Sequence, residues 1–163
     1  MRIFLIGFMR SGKSTIAKAL SKEYGLATIS MDDIFRSKYG SINAYFQKYG
    51  EKSFRIKEQE ILFNTNYPTN CIVSCGGGIV EKWKNMIFIR SRGKVVFLEC
   101  SLEILFSRVD NINRPNWKDE NYTRNLFEKR QSLYFHYADL VINNIRVKET
   151  LERIRQYAPN IFY

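Results

Sequence analysis

Short apolar runs recur along the chain, each bounded by polar or glycine-bearing stretches. Ile3-Phe4-Leu5-Ile6, Leu26-Ala27-Thr28-Ile29, Cys71-Ile72-Val73-Ser74-Cys75, the run from Lys94 to Cys100, and Leu140-Val141-Ile142 are continuous rather than alternating. Continuous apolar runs of this length fit strands buried on both faces. Between them the apolar residues fall at helical spacing. Helices are predicted from about Lys13 to Tyr24, ended by Gly25, and then to about Tyr39, closed by Gly40. Ser41 caps a third that carries Ile42, Tyr45, Phe46 and Tyr49, and a further helix runs from Ser53 to about Asn64. The stretch from Val80 to Ile89 is ambiguous and read as helical. Ser101 caps the helix holding Leu102, Leu105 and Phe106; others follow from about Tyr122 to Phe135 and from about Val147 to Tyr157. Strands alternating with helices imply an α/β fold, a five-stranded parallel sheet covered by helices on both faces, with ligands at the strand C-terminal ends.

The first strand runs into Gly7-Phe8-Met9-Arg10-Ser11-Gly12-Lys13-Ser14, which has the G-x-x-x-x-G-K-[ST] spacing of a phosphate-binding loop in its strand-to-helix setting. Backbone N–H groups of such a loop and the helix N-terminus surround a nucleotide phosphate. Arg10, Ser11, Gly12, Lys13, Ser14 and Thr15 are therefore the candidate nucleotide contacts. Lys13 reaches the β/γ oxygens, and the Ser14 hydroxyl suits Mg²⁺. Arg10 either adds positive charge beside the nucleotide or extends into solvent.

Length and charge narrow the class. With 163 residues and no internal repeat or linker, residues 1–163 are expected to form a single domain. The formal charge of +10 is spread along the chain without a basic block, which argues against nucleic acid as the main partner and fits a cleft for anionic substrates. Cys71, Cys75 and Cys100 are odd in number and lie in or beside strand-like runs, so reduced buried thiols and a cytoplasmic location are expected. The chain opens directly on a core strand, and no apolar run approaches a membrane span, so neither a signal peptide nor a membrane partner is expected.

The loop is joined by an acidic residue after the second strand, glycines after the third and arginines in later polar segments, together a phosphoryl-transfer set. In Gly7 to Ser14, Asp32, Phe54-Arg55 with Glu58, Gly76-Gly77-Gly78, Arg114-Pro115 and Lys129-Arg130 with Tyr134, the chain resembles the shikimate kinases over nearly its whole length. The resemblance implies a nucleoside-monophosphate-kinase-like three-layer fold, monomeric, with substrate-binding helices over about 31–64 and a mobile lid over about 110–122. It implies transfer of the ATP γ-phosphate to the 3-hydroxyl of shikimate, with Mg²⁺. On it, Arg55 and Arg130 bind the substrate carboxylate, Glu58 orients Arg55, and Asp32 positions the reacting hydroxyl. Gly76, Gly77 and Gly78 let backbone approach the substrate, and Phe46 and Phe54 form an apolar wall. Lys13, Asp32 and Arg114 are the catalytic candidates, Arg114 as the lid arginine that neutralises developing charge, and Arg108 is a candidate for stacking on adenine.

Departures from the family pattern are equally informative. Ser30-Met31-Asp32 stands where Asp-x-Asp is usual, so one carboxylate near the metal is missing; Ser74 offers a compensating hydroxyl, and Asp33 is offset by one residue. Asn143-Asn144 follows the last strand where an acidic residue is common. His136, on a helix expected to be largely buried on one face, is read as structural and Trp83 as packing, while Trp117 falls in the lid. The alternatives are a related kinase of another small hydroxylated acid, gluconate-like, or a nucleotide-binding regulator impaired by Ser30. Arg55, Arg130 and the triple glycine favour a hydroxylated carboxylate over a nucleobase as acceptor.

Overall fold

A computed structural model describes residues 1–108 and 119–161. The expected segment over about 110–122, including Arg114 and Trp117, lies largely outside the described residues. Five parallel strands form one sheet: β1 (Arg2–Ile6), β2 (Ala27–Ser30), β3 (Cys71–Ser74), β4 (Lys94–Glu99) and β5 (Leu140–Asn143), in the order β2-β3-β1-β4-β5. Phe4 pairs with Val73 on one side and Val95 on the other, so β1 is central. Strand alternation sends Ile3 and Leu5 to one face and Phe4 and Ile6 to the other, all fully buried. Each such side chain contributes about 1.5–3 kcal/mol of burial.

The helices divide between these faces. On the Ile3 and Leu5 side, α1 (Lys13–Tyr24) supplies Ile16, Ala17 and Leu20, and the C-terminal helix (Val147–Tyr157) supplies Leu151 and Ile154. The opposite side is covered by α2 (Met31–Tyr39), α3 (Ile42–Asn64), α4 (Trp83–Arg92), α5 (Leu102–Ser107) and α6 (Glu120–Tyr137), with the C-terminal helix numbered α7. This is the three-layer α/β arrangement that the apolar runs implied.

Local chemistry accounts for the boundaries. Ser30, Ser41, Ser101 and Asp119 each accept a backbone N–H as helix caps. The second strand sits one residue later than its apolar run, because Leu26 is buried beside α1 while pairing begins at Ala27 with Cys71. The two helices expected around Ser53 form one element kinked at Gly50, whose φ of 77° only glycine adopts readily. The ambiguous stretch after the glycines divides into a 3₁₀ turn (Ile79–Glu81) and α4.

One packing expectation is corrected. Trp83 is 60% exposed at the start of α4, with the Lys84 ammonium 5.7 Å from its ring, so it is a surface residue. His136 lies on the exposed side of α6, edge-on to Tyr137, because the buried stripe of that helix runs through Thr123, Arg130 and Tyr134. All three cysteines are buried and free. Among the described residues no helix is long and apolar enough to cross a membrane.

Candidate active site

The chain emerges from all five strands at one edge of the sheet, and the candidate residues gather there. Between β1 and α1 the phosphate loop folds around its own lysine: Lys13 Nζ donates to the carbonyls of Gly7 and Phe8, both at 2.8 Å, and lies 3.5 Å from Ser11 Oγ. A cavity of about 410 Å³ opens in front of the loop, lined by Arg10, Gly12, Lys13, Ser14, Thr15 and Arg108. Ser11 is buried behind it, its N–H donating to Phe8 O at 3.1 Å. Arg10 is half-buried with a φ of 66°, and its carbonyl accepts from Arg108 Nη1 at 3.1 Å. The other nitrogen of that guanidinium, Nη2, donates to Asn144 O at 2.8 Å. Exposed Ile145 and Val147 complete the mouth.

The first turn of α1 and the end of β3 bring hydroxyls beside this cavity. Ser14 Oγ lies 3.4 Å from Ser74 Oγ, and Asp32 and Ser74 both line the same space. Ser30 Oγ accepts the Asp33 N–H at 3.2 Å, so the residue that replaces an expected carboxylate is engaged as the cap of α2. Asp33 turns away to pair with Arg36 at 2.6 Å. Among the described residues no cluster of three His, Cys, Asp or Glu side chains exists to hold a metal by itself. Two hydroxyls and one carboxylate suit an ion kept largely by water and by nucleotide phosphates.

Asp32, Met9 and Gly77 also line a second, smaller cavity of about 70 Å³. Into it face Arg55, Arg130, Phe46, Phe54 and the glycines Gly76, Gly77 and Gly78. Asp32, Arg55 and Arg130 therefore meet in one place, although they come from α2, α3 and α6. Both guanidiniums are held by glutamates. Arg55 Nη1 donates to Glu58 Oε2 at 2.7 Å, and Arg130 Nε donates to Glu81 Oε1 at 2.6 Å. Burial pushes the Glu58 carboxyl above its ordinary value, against the pull of Arg55. At Glu81 burial acts in the same upward sense, yet Arg130 and Lys129 prevail and hold the carboxyl below the ordinary range. The glycines leave room for these groups: a Cβ at Gly76 would collide with Glu58 Oε1, and one at Gly78 with the Arg55 guanidinium. Tyr134 donates its hydroxyl to Gly77 O at 2.5 Å, fastening α6 to the glycine segment.

Two functional groups escaped the sequence reading. Glu81 pairs with Arg130 across 49 residues of chain, and no local pattern marks it. Asn144 stands out in the sequence only as a departure from the family pattern; its buried amide donates to Ser11 O at 2.6 Å. A buried polar residue just past a strand end is the single hint available, and it does not name the partner.

A family model described as Shikimate kinase matches residues 9–158. A shikimate kinase of Bacillus cytotoxicus is 39% identical over 137 residues, covering 81% of this chain and 82% of the relative. A bifunctional shikimate kinase/3-dehydroquinate synthase of Thermotoga maritima is 36% identical over 92% of this chain, which spans 31% of that longer protein. The shikimate kinase of Acinetobacter baumannii, solved in complex with shikimate, superposes with a TM-score of 0.87 at 28% identity, covering 98% of this chain and 93% of that one.

Proposed function

The chain belongs to the shikimate kinase family, and on that premise we propose how its residues divide the transfer of the ATP γ-phosphate to the 3-hydroxyl of shikimate. ATP occupies the larger cavity. Loop N–H groups and the α1 N-terminus receive its phosphates, and Lys13 exchanges the Gly7 and Phe8 carbonyls for β/γ oxygens. Ile145 and Val147 offer an apolar edge for the base beside Arg108, whose guanidinium is already tied to backbone carbonyls.

Shikimate occupies the smaller cavity. Arg55 and Arg130 grip its carboxylate with paired N–H groups, a match that the planar guanidinium provides and an ammonium does not. Glu58 and Glu81 hold the two forks in orientation before the acid arrives. Asp32 stands where the cavities join, so it orients the 3-hydroxyl toward the γ-phosphate and accepts its proton as the bond to phosphorus forms. The glycines admit the ring beside Phe46 and Phe54. Arg114 is assigned to charge neutralisation at the transferring phosphoryl group. Ser14, with Ser74 and Asp32 through water, would hold Mg²⁺, which supplies charge neutralisation across the phosphates. The reaction belongs in the cytoplasm, where the buried free thiols stay reduced, and the chain works as a monomer.

The observation that carries this reading is the sharing of Asp32 and Gly77 by a phosphate-loop cavity and a two-arginine cavity. A coupled assay of ADP release at millimolar Mg²⁺ tests it. Release that depends on shikimate is expected; release that instead follows gluconate, or none with either acid, overturns the assignment.

A further inference from the structure

The phosphate loop is braced from outside by a residue of the last strand's exit. Asn144 is buried, and both its backbone groups are fixed: its N–H donates to Glu99 O at 2.8 Å, and its carbonyl accepts from Arg108 Nη2 at 2.8 Å. Its side chain spans two elements. Nδ2 donates to Ser11 O at 2.6 Å, while Oδ1 accepts from Thr150 Oγ1 on α7 at 2.8 Å. The orientation of the amide follows from chemistry. Ser11 O is a carbonyl and can only accept, so the nitrogen must face it; a reversed amide would set two acceptors against each other. The amide also packs on the next residue, since a Cβ at Gly12 would lie 2.5 Å from Nδ2.

We propose that Asn144 is a positioning residue for the nucleotide, setting the Ser11–Gly12 peptide so that the loop meets the triphosphate already formed. In a trans peptide the C=O and the following N–H point to opposite edges of one plane. Holding the Ser11 carbonyl outward therefore aims the Gly12 N–H inward, toward the cavity that Gly12 lines. Thr150 fixes the amide, and Arg108 binds the same residue to the Arg10 carbonyl, so both sides of the loop are tied to one anchor. An aspartate here has the shape of asparagine but lacks the donor, and places an acceptor against Ser11 O. This role rests on the ATP reading above and concerns nucleotide affinity alone.

The test compares N144D with the wild-type full chain by steady-state kinetics and by calorimetric titration with ADP. KM for ATP and Kd for ADP should rise roughly tenfold, corresponding to about 1.4 kcal/mol, while KM for shikimate stays within about twofold. Equal rises in both KM values, or unchanged ADP affinity, would overturn the proposal. Should N144D fail to fold, T150V should raise Kd for ADP about threefold and the hydroxyl-retaining T150S should recover it; identical ADP affinity in both Thr150 variants overturns it equally. A wild type that binds ADP but does not phosphorylate shikimate refutes the functional reading and leaves the ADP titrations to decide Asn144.

Discussion

The phosphate loop holds its lysine against carbonyl oxygens, whereas the acid pocket holds each of its arginines against a carboxylate. A carbonyl carries only a partial charge, so the contacts of Lys13 with the Gly7 and Phe8 carbonyls give way readily to an arriving polyphosphate. Glu58 and Glu81 instead keep Arg55 and Arg130 in place, and on the proposed assignment the remaining N–H groups serve the substrate. The lesson is that the two ligands are met by different forms of preorganisation. On the proposed assignment, the nucleotide meets a backbone shape, and the acid meets two charges whose directions are fixed in advance.

The largest expected effect comes from replacing a fork with a point charge. R130K should raise KM for shikimate roughly 10–100-fold, the range that losing one charged, paired hydrogen bond implies, with a far smaller change for ATP. Comparable losses for both ligands would show that Arg130 serves both cavities, and the comparison would dissolve.

Removing the holding group is the next strongest test. E81Q keeps Arg130 but frees its orientation, so KM for shikimate should rise about fivefold, within the cost of one unpaired charged partner. The same variant carries a pH signature. Because the Glu81 carboxyl is held below its ordinary value, its contribution to stability is complete above the unfolded-state pKa of about 4.3 and is lost as pH falls through the lower folded value. Glu58, raised by burial, acts with the opposite sign: its contribution is largest below the unfolded-state value and declines as pH rises through the folded one. Thermal melting followed downward from pH 5 should therefore fall less steeply in E81Q than in the wild type. Parallel melting curves would remove Glu81 from the account.

The smallest effect concerns the edge of the nucleotide side. S30D should lower the Mg²⁺ concentration for half-maximal activity about two- to threefold, by adding a charged partner for metal-bound water. Aspartate caps helices as well as serine, so α2 should persist and melting should be unchanged. An unaltered Mg²⁺ dependence would confine Ser30 to capping.

Much of this architecture was legible because it is written locally. Lys13–Tyr24 and Val147–Tyr157 begin and end where the apolar spacing and Gly25 indicate, and β1, β3 and β4 follow from uninterrupted apolar runs. The phosphate loop is contiguous, so its residues could be named in order. Lys82, by contrast, gives α4 no side-chain cap, which is why the start of that helix was invisible beforehand. Trp83 reads as a core residue by type, yet solvent lies on its side of the helix. In the site, Arg55 and Glu58 could be paired because the family resemblance implies it, and their spacing of three on one helix permits it. Glu81 and Asn144 could not, because Arg130 and Ser11 reach them only through tertiary packing.

The double fastening of α6 has a consequence for inhibitor chemistry. Tyr134 on Gly77 and Arg130 on Glu81 form two rivets between that helix and the glycine segment, so a compound enlarged in that direction meets a wall that cannot yield. The same cavity is also lined by Phe46 and Phe54, which meet ring to ring on a helix already jointed at Gly50. Bulk added to a shikimate mimic should be tolerated only on the aromatic side.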